Sequence, residues 1–326
     1  MKKTLSLLLA VTLLVGLLCG CEKPKTEYYG ELLSIRHAVV EPDEQAAMND
    51  RELAGYEALV DAVLSRKPEI RLSCDEKTAK LYEELLKENP YGFLLSDISR
   101  KDGSFSLSYT YDEQEQTQIV SFMDETLLSL LNKESSASDN KLDKILKLYY
   151  AVTDYLSYDH SSSDVTELSD PHLRYPMDSV WLALKEKQTK CYGFSYLFTF
   201  LMRQYDFDCF SVFGTCRSRG DSHMWNLFEY EGEFFYCDPA WDRSEDEYAK
   251  LMHFGKTEDE RAAETVEAVP FADYHEKGYD TPVCKDSRFS IFRGITRFSP
   301  SDAHRFYLAD FDDHEYVFDT TTFTLQ

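Results

Sequence analysis

His223-Met224-Trp225-Asn226-Leu227-Phe228-Glu229-Tyr230, then Glu231-Gly232, then Glu233-Phe234-Phe235-Tyr236-Cys237-Asp238-Pro239: this stretch reads as one β-hairpin. Two aromatic-rich runs flank a two-residue turn, and Pro239, with no N–H to give a ladder, stops the return strand. So tight a turn fixes the register. With Tyr230 opposite Glu233, Trp225 faces Asp238 and His223 faces Ala240. His223 and Asp238 then share one face as diagonal neighbours, with Cβ atoms about 7–8 Å apart or somewhat less, a span an imidazole and a carboxylate can close. Such a pair suits catalysis: the carboxylate orients the ring and stabilises imidazolium while the ring activates a nucleophile. Taken alone, it is as readily a surface histidine beside a solvated aspartate at a strand end. A further strand is expected over 208–213.

A thiol stands upstream. Lys187-Gln188-Thr189-Lys190-Cys191-Tyr192-Gly193-Phe194 runs from a polar loop into an apolar segment, 194–205, whose Phe194, Leu197, Phe198, Leu201 and Met202 share a helical face. Cys191 therefore opens a buried helix, where unpaired N–H groups and the positive dipole end favour a thiolate. Gly193 allows close backbone approach. The bland alternative is a plain buried cysteine at the start of a core helix.

Together these residues resemble the transglutaminase-like superfamily of papain-type cysteine enzymes. Cys191-x-Gly193 at a helix start matches the family's Cys-x-Gly, and His223-x-Trp225-Asn226 matches its His-x-Trp-Asn. Asp238-Pro239-Ala240-Trp241-Asp242 resembles its Asp-Pro-Thr-Trp-Asp, with alanine at the threonine position. Tyr158-Asp159 after an amphipathic helix, and His253-Phe254 before an acidic one, also fit. The likeness covers about 140–262, with none found for 22–135 or 265–326. It implies an α+β fold: a papain/transglutaminase-like core that packs a Cys-bearing helix on an antiparallel sheet bearing His and Asp, beside a smaller N-terminal α+β domain.

The resemblance also implies roles. Cys191 attacks an acyl carbon of an amide, His223 takes the thiol proton and returns it to the leaving amine, and Asp238 orients His223. Water then gives hydrolysis and an amine gives acyl transfer, with no cofactor. The Cys191 N–H is the expected first oxyanion donor. Gln188 lies too near Cys191 to act as the upstream glutamine of papain-type enzymes, and Tyr158 is the expected candidate for second donor. Gly193, Trp225, Asn226 and Trp241 are expected to line the site, the tryptophans as packing rather than as substrate platforms. Asp242 is expected as a cap or a supporting acceptor.

Outward from this core, the Ser-rich polar stretch 133–140 is the best internal boundary. The expected units are a leader over 1–21, a tether over 22–41, an N-terminal α+β domain over 42–135, the catalytic-type domain over 138–262, and a β-rich extension over 263–326 with strands at 288–292 and 305–309. Leu53, Tyr56, Leu59, Val60 and Val63 predict a helix over 42–65. Ser73 with Glu76 reads as a capping box for a helix through Tyr82, Leu85 and Leu86, ended by Asn89-Pro90. A strand over 92–99, the turn Lys101-Asp102-Gly103 and the alternating Phe105, Leu107, Tyr109 and Tyr111 predict a hairpin, and a helix follows over 117–131. Leu142, Ile145, Leu146, Tyr149, Val152 and Leu156 stripe a helix over 139–156. A Ser/Asp loop to 170 and a short helix over 178–185 complete the reading.

Lys2 and Lys3 before the apolar run 4–18 form a secretory signal, and Leu18-Cys19-Gly20-Cys21 resembles the bacterial lipobox. The expectation is an exported chain held to the membrane only through a lipid on Cys21. The 326 residues carry 35 Lys and Arg against 59 Asp and Glu, a net charge of −24. Without the leader, 33 basic residues face 59 acidic, or −26. That excludes nucleic acid and anionic lipid surfaces as partners, since both need a basic patch. No later apolar run reaches ~18 residues, which excludes a multi-pass membrane protein. A 43% hydrophobic chain with only 13 Gly and 10 Pro is globular, with length for roughly two domains.

Beyond the leader, Cys74, Cys191, Cys209, Cys216, Cys237 and Cys284 remain. An exported chain can pair all six, whereas a working thiol leaves an odd number. Without any Cys-x-x-Cys a zinc ribbon is disfavoured, and Cys209, Cys216, His223 and Cys237 are the conceivable metal set. The runs Glu245-Asp246-Glu247 and Glu258-Asp259-Glu260 lack calcium-loop spacing and read as solvated faces. Three functions stay open: an anchored thiol hydrolase or acyltransferase on extracytoplasmic peptides or proteins, neutral or cationic given the charge; a non-catalytic peptide- or wall-binding lipoprotein on the same fold; and a structural surface antigen.

Overall fold

The computed structural model describes residues 27, 29–40, 45, 47–160, 179–218, 220–243, 250–267, 282 and 284–326; the leader with Cys21, the Ser/Asp loop and Glu245-Asp246-Glu247 lie outside them. The N-terminal region runs α1 (Asp50–Leu64), β1 (Glu69–Arg71), α2 (Glu76–Glu88), β2 (Leu95–Lys101), β3 (Ser104–Tyr109) and α3 (Glu113–Leu131). Side-chain caps set the helix starts. Asn49 with Glu52 forms a capping box on α1, and Asp112 with Glu115 forms one on α3. The expected 42–65 helix therefore begins only at Asp50, and the expected 117–131 helix begins earlier, at Glu113. Ser73 is not the cap of α2. Asp75 accepts from the Thr78 N–H at 2.8 Å, while the Ser73 hydroxyl accepts from Arg51 Nη2 at 2.7 Å. Asp102 and Gly103 both have positive φ, 51° and 78°, the signature of a type I′ hairpin turn. Residues Gly92–Leu94 form a 3-10 turn, so β2 opens at Leu95, and Tyr111 falls beyond β3.

α4 (Lys141–Tyr155), capped by Asn140 and Asp143, leads into β4 (Ser157–Tyr158). After α5 (Ser179–Glu186) and β5 (Gln188–Thr189) comes α6 (Cys191–Arg203). β6 (Cys209–Cys216), β7 (Ser222–Tyr230) and β8 (Glu233–Cys237) follow, then α7 (Glu258–Glu264) and β9 (Thr265–Glu267). These strands form an antiparallel sheet in the order β8-β7-β6-β9. Glu231 and Gly232 have φ of 54° and 79°, another I′ turn. It pairs Tyr230 with Glu233 and Asn226 with Cys237, the register read from the sequence. Met224, Phe228, Phe235, Cys237 and Cys209 join the main core with α6, while Phe210, Val212, Trp225, Leu227 and Tyr236 form a second cluster on the other face. Burial on both faces explains why β7 is apolar nearly throughout.

The C-terminal region is a four-stranded meander of β10 (Ile295–Pro300), β11 (Arg305–Asp310), β12 (Glu315–Asp319) and β13 (Thr324–Leu325). The strand expected at 288–292 is instead a 3-10 helix, whose spacing buries Phe289 and Phe292 together. The meander docks on α4 through charge. Asp143 holds His304 Nδ1 at 2.7 Å, and Lys147 Nζ reaches Asp139 at 2.7 Å and the Ala303 carbonyl at 3.1 Å. Lys144 shares the same fully buried Asp139 at 3.5 Å.

The stretch expected as a tether is bound to the body from Tyr29 onward. The Asn132 amide accepts from the Leu32 N–H and donates to its carbonyl, both at 2.8 Å. The Gln204 amide does the same for Arg36, at 2.8 and 2.9 Å. Each amide satisfies a backbone donor and acceptor as a neighbouring strand would. One buried apolar cluster runs from Ile35 to Phe318, across 133–140. Among the described residues, none of the six cysteines is joined in a disulfide.

Candidate active site

β7 and β8 bring His223 and Asp238 together. The pairing that sets Trp225 opposite Asp238 puts both side chains on the face away from Asn226, and Nε2 of His223 lies 2.6 Å from Oδ2 of Asp238. Asp238 is wholly buried and His223 nearly so. A carboxylate only accepts, so Nε2 carries the hydrogen and Nδ1 is the ring nitrogen left for another partner. Burial alone would lower the imidazole's basicity. The Asp238 charge and hydrogen bond outweigh it, helped by a hydrogen bond with Cys191, and His223 is raised to about 9. For Asp238, burial would raise the carboxyl, yet the charges of His223 and Arg261 hold it well below the usual carboxylate range.

Cys191 is the first residue of α6 and is 4% exposed. Lys190, the N-cap, gives no side-chain cap, and the Cys191 N–H has no backbone acceptor among the described residues. This is the position for an oxyanion donor. Gly193 is required by a close approach, of a side chain rather than backbone. A Cβ there would lie 2.2 Å from Thr189 Oγ1 and 2.8 Å from Thr189 Cβ. Thr189 is fixed in turn by parallel pairing with Tyr158, whose ring stacks on Phe194 at 6.3 Å. Tyr158 thus lies against the first turn of α6.

The tryptophans divide. Trp225 is wholly buried, whereas Trp241 is half-buried and stacks on the His223 ring at 4.5 Å and 15°. Trp241 is therefore more than packing: its ring lies flat on the imidazole, and its backbone N–H donates to Asp238 Oδ1 at 3.0 Å. Asn226 does not line the site. Its amide donates to the Ser195 carbonyl at 3.0 Å and Thr199 Oγ1 at 2.8 Å, riveting α6 to the sheet from the other face. Asp242 is a supporting acceptor, holding the Tyr149 hydroxyl at 2.6 Å and His253 Nδ1 at 3.0 Å. The conceivable metal set is not brought together, because Cys209 and Cys237 lie under α6 while Cys216 faces the other side of the sheet.

One residue was missed from the sequence. Arg261 on α7 is 2% exposed, lies 4.3 Å from the Trp225 ring and 4.7 Å from that of Trp241, and donates from Nη2 to Asp238 Oδ2 at 3.0 Å. The available signal was a lone basic residue inside Glu258-Asp259-Glu260-Arg261, where a solvated acidic face alone was expected.

Residues 129–239 match the family model of the transglutaminase-like superfamily. Among solved structures, a protein from Cytophaga hutchinsonii provisionally named a cysteine protease is similar at 14% identity, over 44% of this chain and 55% of that one, with a TM-score of 0.27. A TGase is similar at 13% identity, over 52% of this chain and 50% of that one, with a TM-score of 0.28. This chain thus spans about half the length of the structures it matches. No curated protein matches the sequence. In the stretch 129–239 that matches this family model, a thiol-bearing helix packs on the antiparallel sheet that carries the histidine, with the aspartate directly after its strand β8.

Proposed function

We propose that this protein is a thiol enzyme that transfers acyl groups from peptide or protein amides to water or to an amine, exported and anchored through Cys21. The observation that carries the reading is the buried His223–Asp238 contact of 2.6 Å, on a ring whose basicity Cys191 also raises. In this reading Nδ1 of His223 takes the Cys191 proton, and the sulfur attacks the acyl carbon. The Cys191 N–H receives the developing oxyanion, and imidazolium protonates the leaving amine. Water or an amine then attacks the thioester and releases Cys191. Asp238, held ionised by Arg261, keeps Nε2–H engaged so that Nδ1 faces the sulfur throughout.

A thiol-reactive electrophile at neutral pH tests this. Cys191 is expected to be labelled far faster than Cys74 and Cys237, whose thiols burial pushes up, and His223→Ala is expected to slow it. Equal, slow labelling of all thiols would instead favour a non-catalytic binding module on this fold.

A further inference from the structure

A pocket opens beside the imidazole. Cys216, Arg217, Ser218, Trp241, Ala263 and Glu264 line about 450 Å³. The strand register places it: His223 is paired with Gly214, and Cys216, two residues on, shares the Gly214 face. Trp241, the ring stacked on His223, is a wall of the pocket. A substrate seated between Cys191 and His223 therefore has this pocket within the reach of a neighbouring residue.

The acidic excess of the whole molecule is absent here. Arg217 is oriented by two anchors: its Nε donates to the Ala262 carbonyl, and its backbone N–H donates to the Glu264 carbonyl at 2.8 Å. Its two Nη atoms have no acidic partner among the described residues. Oε1 of Glu264 pairs with Lys256 and lies 3.7 Å from His253 Nε2, while Oε2 lies 3.6 Å from Arg261 Nη1 without a hydrogen bond. Arg217, Lys256 and Arg261 balance Glu264, Asp238 and Asp242 before either histidine is counted, in a chain of net −24.

We propose that this pocket is a subsite for a carboxylate-bearing residue of the substrate, held bidentately by Arg217 Nη1 and Nη2 with its methylenes against Trp241. The proposal rests on the thiol acyl-transfer reading of the adjoining site. A planar guanidinium with one edge already anchored presents the other as a fork that fits a carboxylate. The Arg217 fork thus sets a local preference against the neutral or cationic substrates expected from net charge.

Chloroacetyl derivatives of glycine, β-alanine and γ-aminobutyrate, each as free acid and as primary amide, provide the test with the full chain. The Cys191 thiolate forms an S–C bond and chloride leaves, and peptide mass spectrometry follows the adduct. For at least one length, the acid is expected to outrun its amide about tenfold, a charge-assisted contact discounted for exposure. In Arg217→Gln that ratio is expected to fall toward one. No acid preference at any length, or one that survives in Arg217→Gln, overturns the subsite while leaving the thiol reading intact. Failure of the amides as well as the acids to alkylate Cys191 overturns the thiol reading, and the subsite with it.

Discussion

Asp238→Asn keeps the shape of a wholly buried side chain and removes its charge. In the native site, burial alone would depress His223, and Asp238 with Cys191 raises it from 6.5 to about 9. With asparagine the Asp238 charge goes while burial remains, and only Cys191 is left to raise the ring, so most of the rise should be lost. A gap of about 2.5 units at 1.36 kcal/mol per unit corresponds to about 3 kcal/mol. Because the folded value lies above the unfolded one, this stability is complete below pH 6.5 and is lost as pH rises through about 9. From about pH 6 to about pH 10, the wild-type protein should therefore lose about 3 kcal/mol of unfolding free energy, most of which Asp238→Asn does not lose. Groups that titrate alike in both proteins cancel in the difference. Urea denaturation followed by tryptophan fluorescence at the two pH values measures it. An equal loss in both proteins would refute the argument that Asp238 sets the basicity of the ring.

Three further outcomes are expected. Arg261→Met removes a buried partner of Asp238 and two contacts with indole faces, and should cost about 3–5 kcal/mol in urea denaturation; a loss under about 1 kcal/mol would show the ion pair to be dispensable. Gly193→Ala drives a methyl into Thr189 and should destabilise by about 1–3 kcal/mol and slow Cys191 labelling, with partial recovery of both in the Gly193→Ala/Thr189→Ala double variant. No recovery would place the strain elsewhere. Asp139→Ala leaves Lys144 and Lys147 buried without their shared carboxylate, and should cost about 3–5 kcal/mol at neutral pH. Since burial already lowers Lys144 to about 8, and loss of Asp139 lowers it further, the Lys144 part of that cost should shrink as pH rises toward this value and be absent above it, and denaturation as a function of pH checks the direction.

What could be read in advance was what local chemistry decides. A two-residue turn at Glu231-Gly232 fixes the pairing of its strands, so the meeting of His223 and Asp238 followed from the sequence. The thiol-bearing helix was legible because a polar loop gives way abruptly to a helical apolar stripe. Helix starts were misplaced at Asn49 and Asp112, where periodicity was weighed above caps, and at Asp75, where Ser73 was read as the cap in its place; each is a single side chain that holds the first N–H groups. The buried Arg261 and the turned-away Asn226 were not legible, because each is defined by an element far off in sequence: α7 folding over two tryptophans, and α6 packing on the sheet. At Arg288–Phe292 two phenylalanines three apart fit a 3-10 turn better than a strand, but aromatic content masked the spacing.

The segment from Tyr29 to Val40 works as a tie rod. Asn132 terminates α3 and Gln204 terminates α6, and each amide grips the same passing chain. α6 has 13 residues, so its gripped end lies roughly 20 Å from Cys191. Tension applied ahead of Tyr29 would be delivered to the rear of that helix and to α3 at once, while Cys191 sits at the opposite tip. Mechanical load and the Cys191 thiol are thereby kept at different ends of one rigid element.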